Sequence, residues 1–241
     1  MGRWLNAQTV PRPLLRRNLM HTVINPFASA WLALKTRAPH GGVERLDRVL
    51  VLNLDDRADR LRSFTEGARR LGLHAARFPA IQDEVGIIGC TLSHIAMLRT
   101  MITEGWQAVM ICEDDAVFRV SRDKLDVLVD AFLDDDGAEV ACLAYHLQCA
   151  PAPRSLLYFR ARNTRTTACY LVKRSIVADL LAVLEEGVPE LRRGGDRMIY
   201  GVDMIWKRLQ GQRVFLVPTV RAVVQADGWS DIENRHVSYG V

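Results

Sequence analysis

The chain has 241 residues, 49% of them hydrophobic and 25% charged, ordinary globular values that exclude disordered, collagen-like and coiled-coil classes. Its apolar runs end at about ten residues, well short of the roughly 20 that a bilayer span needs; no signal-type apolar core opens the chain, and five scattered cysteines (Cys90, Cys112, Cys142, Cys149, Cys169) without a CxxC pair read as reduced, buried thiols of a cytosolic protein. The net charge of +4 is uneven: residues 1–43 hold six Arg or Lys and no acid, leaving 26 basic against 28 acidic residues beyond them, which argues against a nucleic-acid-binding body.

In the basic stretch, Met20, Ile24, Phe27, Trp31 and Leu34 recur at helical steps, and Asn25-Pro26 divides them into two short helices. Residues 1–42 therefore form a basic amphipathic segment. It suits either a peripheral anchor on an anionic membrane surface, at the inner face of the membrane, or a helix pair packed on the body. His40-Gly41-Gly42 reads as a linker into a single domain over residues 43–241.

From Arg48 onward, strands and helices alternate. Val49 to Leu54 is a continuous apolar run, as in a strand buried on both faces, and Asp55 or Asp56 can cap the helix after it. That helix carries Leu61, Phe64, Ala68 and Leu71 on one face and stops at Gly72. A short strand over residues 75–80 comes next. Gly86 and Gly89 read as a tight turn, with Thr91 or Ser93 capping a further helix. Ala108 to Cys112 is a strong strand that runs directly into Glu113-Asp114-Asp115. Further strands are expected over 140–145, 168–172 and 214–217, with helices over 124–133, 174–186 and 203–210. Asp134-Asp135-Asp136 reads as a solvated loop. The order predicts an α/β fold with one mainly parallel central sheet flanked by helices, Rossmann-like but without a GxGxxG fingerprint.

Three adjacent carboxylates at a strand tip repel one another unless a cation sits there. Mg²⁺ or Mn²⁺ suits oxygen ligands and completes its shell with water and phosphate oxygens, and ligands of open α/β sheets gather at the strands' carboxyl ends. Glu113-Asp114-Asp115 thus fits a metal–diphosphate site, the alternative being a solvated acidic turn. Gly89 to His94 is the second informative stretch: a glycine lets the backbone approach closely, and a helix start after it would offer N–H groups to an anion, with Ser93 and His94 as candidate contacts. Cys90 has no partner base or second cysteine and reads as a packed thiol.

Several segments together resemble glycosyltransferase family 25, which includes lipooligosaccharide and procollagen galactosyltransferases. They are Val51-Leu52-Asn53-Leu54 with Arg57 and Asp59-Arg60; Arg77-Phe78-Pro79-Ala80; Gly86 with Gly89-Cys90-Thr91-Leu92-Ser93-His94; and Glu113-Asp114-Asp115-Ala116. Thr167 to Val172, Val202-Asp203, Gln225 and Ser230-Asp231-Ile232 are weaker matches. The resemblance covers residues 48–232 and leaves the first 45 unmatched. It implies a GT-A type fold and inverting transfer of galactose or a related hexose from a UDP-sugar, with a divalent cation held at the acidic motif. By the same resemblance Glu113 approaches the ribose, Asp115 holds the metal beside Glu113 and Asp114, and Asn53, Arg57 and Arg60 line the nucleotide pocket.

An inverting transfer needs a base for the acceptor hydroxyl. Asp203, at a helix start, is the first candidate, with His94 as a further catalytic candidate. Asp231 and His236 are rivals as base or extra metal ligand, because the segment after Gln225 is short, polar and aromatic like a lid. The expected partners are a UDP-hexose donor and a glycan or lipid-linked glycan acceptor such as lipopolysaccharide, with no nucleic acid. Two competing readings are a binding or scaffold protein on the same fold, and an α/β phosphohydrolase using Asp55 or Asp56.

Overall fold

A computed structural model describes residues 39–230, 232 and 235–237. The expected anchor or helix pair of the N-terminal segment, up to residue 38, lies outside the described residues, as does Asp231.

The alternating strands assemble into one eight-stranded sheet. β1 (Arg48–Asn53), β2 (Ala76–Pro79) and β3 (Ala108–Glu113) form its first half, and β4 (Ala116–Phe118) leaves its tip. β5 (Val140–Cys142) follows; β6 (His146–Leu147) and β9 (Thr164–Arg165) form a separate pair, and β7 (Ala152–Pro153) and β8 (Tyr158–Ala161) form the far edge. β10 (Cys169–Lys173) and β11 (Phe215–Pro218) complete the sheet, in the order β2-β1-β3-β10-β5-β11-β8-β7. Only β8 and β10 run against the common direction, so the sheet is mainly parallel as expected. Three short strands, β12 (Val223–Gln225), β13 (Gly228–Ser230) and β14 (Arg235–Val237), close the chain around β4.

Helices cover both faces. α1 (Ala58–Arg70) and α3 (Arg122–Leu133) share one core with Val49, Val51, Met110 and Cys112; α2 (Gly86–Thr103) and α4 (Val177–Arg192) share the other with Leu50, Leu52, Val109 and Ile111. Successive residues of β1 and β3 thus feed opposite cores, as the two-residue period of a strand requires. α2 is long and apolar enough to cross a membrane by length and composition, but half of it is buried against the sheet and α4. Two four-residue helices, α5 (Arg197–Tyr200) and α6 (Val202–Ile205), follow α4.

Three local expectations are corrected. Asp55 and Asp56 do not cap α1, whose N-cap is Arg57 with no side-chain hydrogen bond. His40 to Gly42 are no free linker: Gly42 N–H donates to Asp130 Oδ1 at 2.9 Å and Val43 N–H to Asp126 Oδ1 at 2.8 Å, which docks them on α3. Cys149 is exposed and Cys90 half-buried, whereas Cys112, Cys142 and Cys169 are buried thiols. The acidic loop is solvated as expected, with Asp134 and Asp136 exposed, while Asp134 and Asp135 also pair with Arg45 and Arg154.

Gly86 and Gly89 lie inside α2 rather than in a turn. A Cβ on Gly89 would stand 2.6 Å from the Ile81 carbonyl, so this glycine serves the close approach of the 81–83 loop, not a bend. Gly89→Ala is expected to cost about 1–3 kcal/mol through overpacking, read as a lower thermal unfolding midpoint with unchanged far-UV circular dichroism.

Candidate active site

The parallel order brings the carboxyl ends of β1, β2 and β3 side by side, and Glu113-Asp114-Asp115 stands at the centre. Each acid is held by a different element. Glu113 Oε1 accepts from Thr167 Oγ1 at 2.6 Å and lies 3.4 Å from His94 Nε2. Thr167 arrives because β10 pairs with β3 and Glu113 N–H donates to the Ala168 carbonyl. Asp114 is buried, taking 2.8 Å from Asn53 Nδ2 and 3.2 Å from Arg60. Asp115 Oδ2 accepts from Gln225 Nε2 at 3.0 Å, a position fixed by the β4–β12 ladder that sets Gln225 opposite Ala116.

Among the described residues, Asp115 keeps its second oxygen without a partner. Its side chain is 10% exposed, and Oδ1 is sealed from solvent with no hydrogen bond. Burial and the negative Glu113 beside it push the Asp115 carboxyl up to about 7. Burial likewise raises Asp114, while Glu113, which burial would raise, is held below the ordinary range by hydrogen bonds from His94 and Thr167. A crowded carboxylate with an unsatisfied inward oxygen is the donor set that a hard divalent cation satisfies, so the residues fit Mg²⁺ or Mn²⁺.

Three cavities meet at this tip. One, about 310 Å³, opens at the ends of β1, β2 and β3, and six acids on its wall (Asp56, Asp83, Glu84, Glu113, Asp114, Asp115) face a single arginine, Arg60. A second, about 420 Å³, is lined by both Glu113 and Asp203. Asp203 lies in the first turn of α6, and its Oδ2 accepts 3.1 Å from the N–H of Thr166, which is held at φ +84°. Burial raises the Asp203 carboxyl above its ordinary range. A non-glycine residue at positive φ is uncommon and is kept only where its surroundings fix it; here the Asp203 carboxylate and a 3.3 Å bond from Thr166 Oγ1 to Gln225 do so.

The remaining candidates divide. Asn53 and Arg60 reach the acidic tip, and Arg60 also donates to the Trp229 carbonyl. Arg57 does not line the 310 Å³ cavity: it pairs with Asp59 at 3.3 Å and lines the third, about 680 Å³, together with Arg60, Asp114 and Asp115. Ser93 lines the smaller cavity only through a fully committed hydroxyl, which accepts from Ile81 N–H at 2.8 Å and donates to the Gly89 carbonyl at 2.7 Å; it latches the loop to α2 and caps nothing. His94 is wholly buried, its ring closed between the Tyr170 hydroxyl at 2.9 Å and Glu113, so it orients Glu113 instead of meeting substrate. His236 sits on the exposed β13–β14 hairpin, edge-on to Trp229 at 5.7 Å, away from the acids. Asp55, the possible hydrolase nucleophile, turns out to Arg77 and is 88% exposed.

Cys90, His94 and Glu113 also bring potential ligand atoms within 4.8 Å of one another. Burial raises the Cys90 thiol further above its ordinary range, and both ring nitrogens of His94 are engaged, so this trio is a poorer metal site than Asp115. Thr166 and the hydrogen-bonding roles of Thr167, Tyr170 and Gln225 were not foreseen. The last three lie in segments that match the family motifs, and that match was the available signal.

Several solved structures are similar in fold. A glycosyltransferase involved in glycosylation of the major capsid of PBCV-1 has a TM-score of 0.46 and 10% identity over 78% of this chain and 95% of its own. A197 from STIV has a TM-score of 0.45 and 11% identity over 79% and 93%. Mannose-1-phosphate geranyltransferase from Thermus thermophilus has a TM-score of 0.39 and 11% identity over 70% and 58%. No curated protein matches the chain. Residues 84–191 match the family model of glycosyltransferase family 25 (LPS biosynthesis protein). The matched stretch runs from the loop before α2, through the acidic tip, to α4, and is similar to the family that the ordered motifs resemble.

Proposed function

We propose that this glycosyltransferase is metal-dependent and inverting, and that it moves a hexose, galactose by family resemblance, from a UDP-sugar to a hydroxyl of a glycan acceptor of the lipopolysaccharide type. The observation that carries the reading is the sealed, unpartnered Asp115 Oδ1 among crowded carboxylates. A divalent cation bound there would supply positive charge against the diphosphate as the sugar leaves.

The chain's own residues supply the rest. Asn53 and Arg60 fix Asp114, while Thr167 and His94 fix Glu113, so the acids need no rearrangement when charge develops. The smaller cavity, at the strand ends, accommodates the donor nucleotide. In the 420 Å³ cavity, which Glu113 also lines, Asp203 is oriented by the Thr166 N–H to take the proton of the attacking hydroxyl.

The test is release of UDP from UDP-galactose and UDP-glucose with Mn²⁺ and with EDTA. Turnover that depends on the cation is expected. Equal turnover in EDTA would remove the metal role, and phosphate release from simple phosphoesters in place of UDP release would favour a hydrolase.

A further inference from the structure

The 310 Å³ and 420 Å³ cavities beside the acidic tip differ in sign. Among the described residues, six acids and Arg60 line the smaller one, with Asp83 paired to Arg192, whereas four arginines, Arg165 and Arg221 among them, and His146 line the larger one against Glu113 and Asp203. Their placement is built into the fold. β9 pairs with β6 so that Arg165 lies opposite His146, and the buried Gln210 clamps Thr164 through two 2.8 Å bonds to its backbone. Arg221 stands 5.4 Å over the ring of Tyr145, whose hydroxyl is fixed to the Pro218 carbonyl at 3.0 Å. Burial holds His146 below its ordinary pKa, and the positive charges of Arg165 and Arg221 act in the same direction.

Other surface arginines have found acids: Arg45, Arg122 and Arg154 are paired at 2.7 to 2.8 Å. Among the described residues, neither Arg165 nor Arg221 is ion-paired with a carboxylate. A guanidinium fork matches phosphate and carboxylate oxygens in pairs. Among the described residues the cations of this wall outnumber its two carboxylates, Glu113 and Asp203, and such an excess is what an incoming anion would relieve.

We propose that the cavity beside Asp203 binds an anionic substituent, phosphate or carboxylate, carried by the sugar acceptor, with Arg165 and Arg221 as its ligands. The inference deepens the transferase reading and rests on it: the cationic wall draws the acceptor to the Asp203 side, while the acidic wall keeps it out of the donor cavity until a metal-bound nucleotide is in place.

The full chain would be titrated calorimetrically, saturated with UDP and Mn²⁺, with glucose, glucose 6-phosphate and glucuronate. The expected result is that one or both anionic sugars bind about tenfold tighter than glucose at low ionic strength, the scale of one charge-assisted hydrogen bond. The phosphate and carboxylate arms tell which group the cavity takes. Arg165→Gln/Arg221→Gln should erase that preference and leave the UDP–Mn²⁺ affinity unchanged. Arg221→Gln alone, at an exposed position, should reduce the preference if the double variant does not fold. Equal binding of the three sugars by the unaltered protein, or an undiminished preference in either variant, would overturn the inference while UDP binding leaves the transferase reading intact. Failure of UDP and Mn²⁺ to bind at all would instead remove that reading, and the acceptor assignment with it.

Discussion

Asp115→Asn is expected to lower the rate of transfer by about a hundredfold or more, the scale of losing one electrostatic stabiliser of developing charge, while the metal-free protein becomes more stable, not less. The two effects have one cause. With its carboxyl at about 7 in the fold against an ordinary 3.8, Asp115 favours folding fully below pH 3.8 and loses that contribution as pH rises through 7. Above that range the metal-free site keeps a carboxylate that burial and Glu113 disfavour. Asparagine retains an oxygen for the 3.0 Å bond from Gln225 and removes the charge.

A cation reverses the balance, because it binds the ionised form. Mn²⁺ at about 100 times its Kd adds about 2.7 kcal/mol, or roughly 5–10 °C for a domain of this size. The shift should be larger above pH 7 than below it, and absent in Asp115→Asn. Thermal unfolding with and without Mn²⁺ on both sides of that pH reads all of this. An undiminished Mn²⁺ shift in the variant would take the cation away from Asp115.

The sheet was largely legible because its strands are apolar on both faces. Val49 to Leu52 and Val109 to Cys112 divide between two cores, and a run that must satisfy both sides at once stands out from amphipathic neighbours. The acidic tip was legible for a related reason: three carboxylates directly after such a strand have nowhere to go but its carboxyl end. The start of α2 was not. Gly86 and Gly89 look like turn formers in sequence, and only the 2.6 Å approach of the Ile81 carbonyl shows why a helix needs a glycine there. Ser93 was misread with it, since a hydroxyl that bridges Ile81 and Gly89 looks in sequence like one that caps. The supports of the acids were hidden differently. Thr167 and Gln225 lie 54 and 110 residues from the carboxylates they bond, and the pairing of β10 with β3 and of β12 with β4 brings them there. His236 failed for the converse reason: residue type suggested a ligand, and the hairpin turned it to Trp229.

Asp203→Asn separates catalysis from binding. A positioned general base contributes typically 10²- to 10⁴-fold, so kcat is expected to fall by about that range while UDP and Mn²⁺ bind as before, since Asp203 lines the 420 Å³ cavity and not the donor side. The amide retains an oxygen for the Thr166 N–H, which keeps that residue in its positive-φ conformation and the local fold in place. The pH profile supplies a second readout. Burial raises the Asp203 carboxyl above the usual carboxylate range, so it ionises late, and the acid limb of kcat in the unaltered enzyme should lie above the pH at which an exposed aspartate titrates. The variant, with nothing to ionise at that position, should lose the limb along with the rate. Asp203→Asn with full kcat and an unchanged acid limb would show that the carboxylate only props up Thr166, and the base would then have to be sought on the segment that follows Ser230.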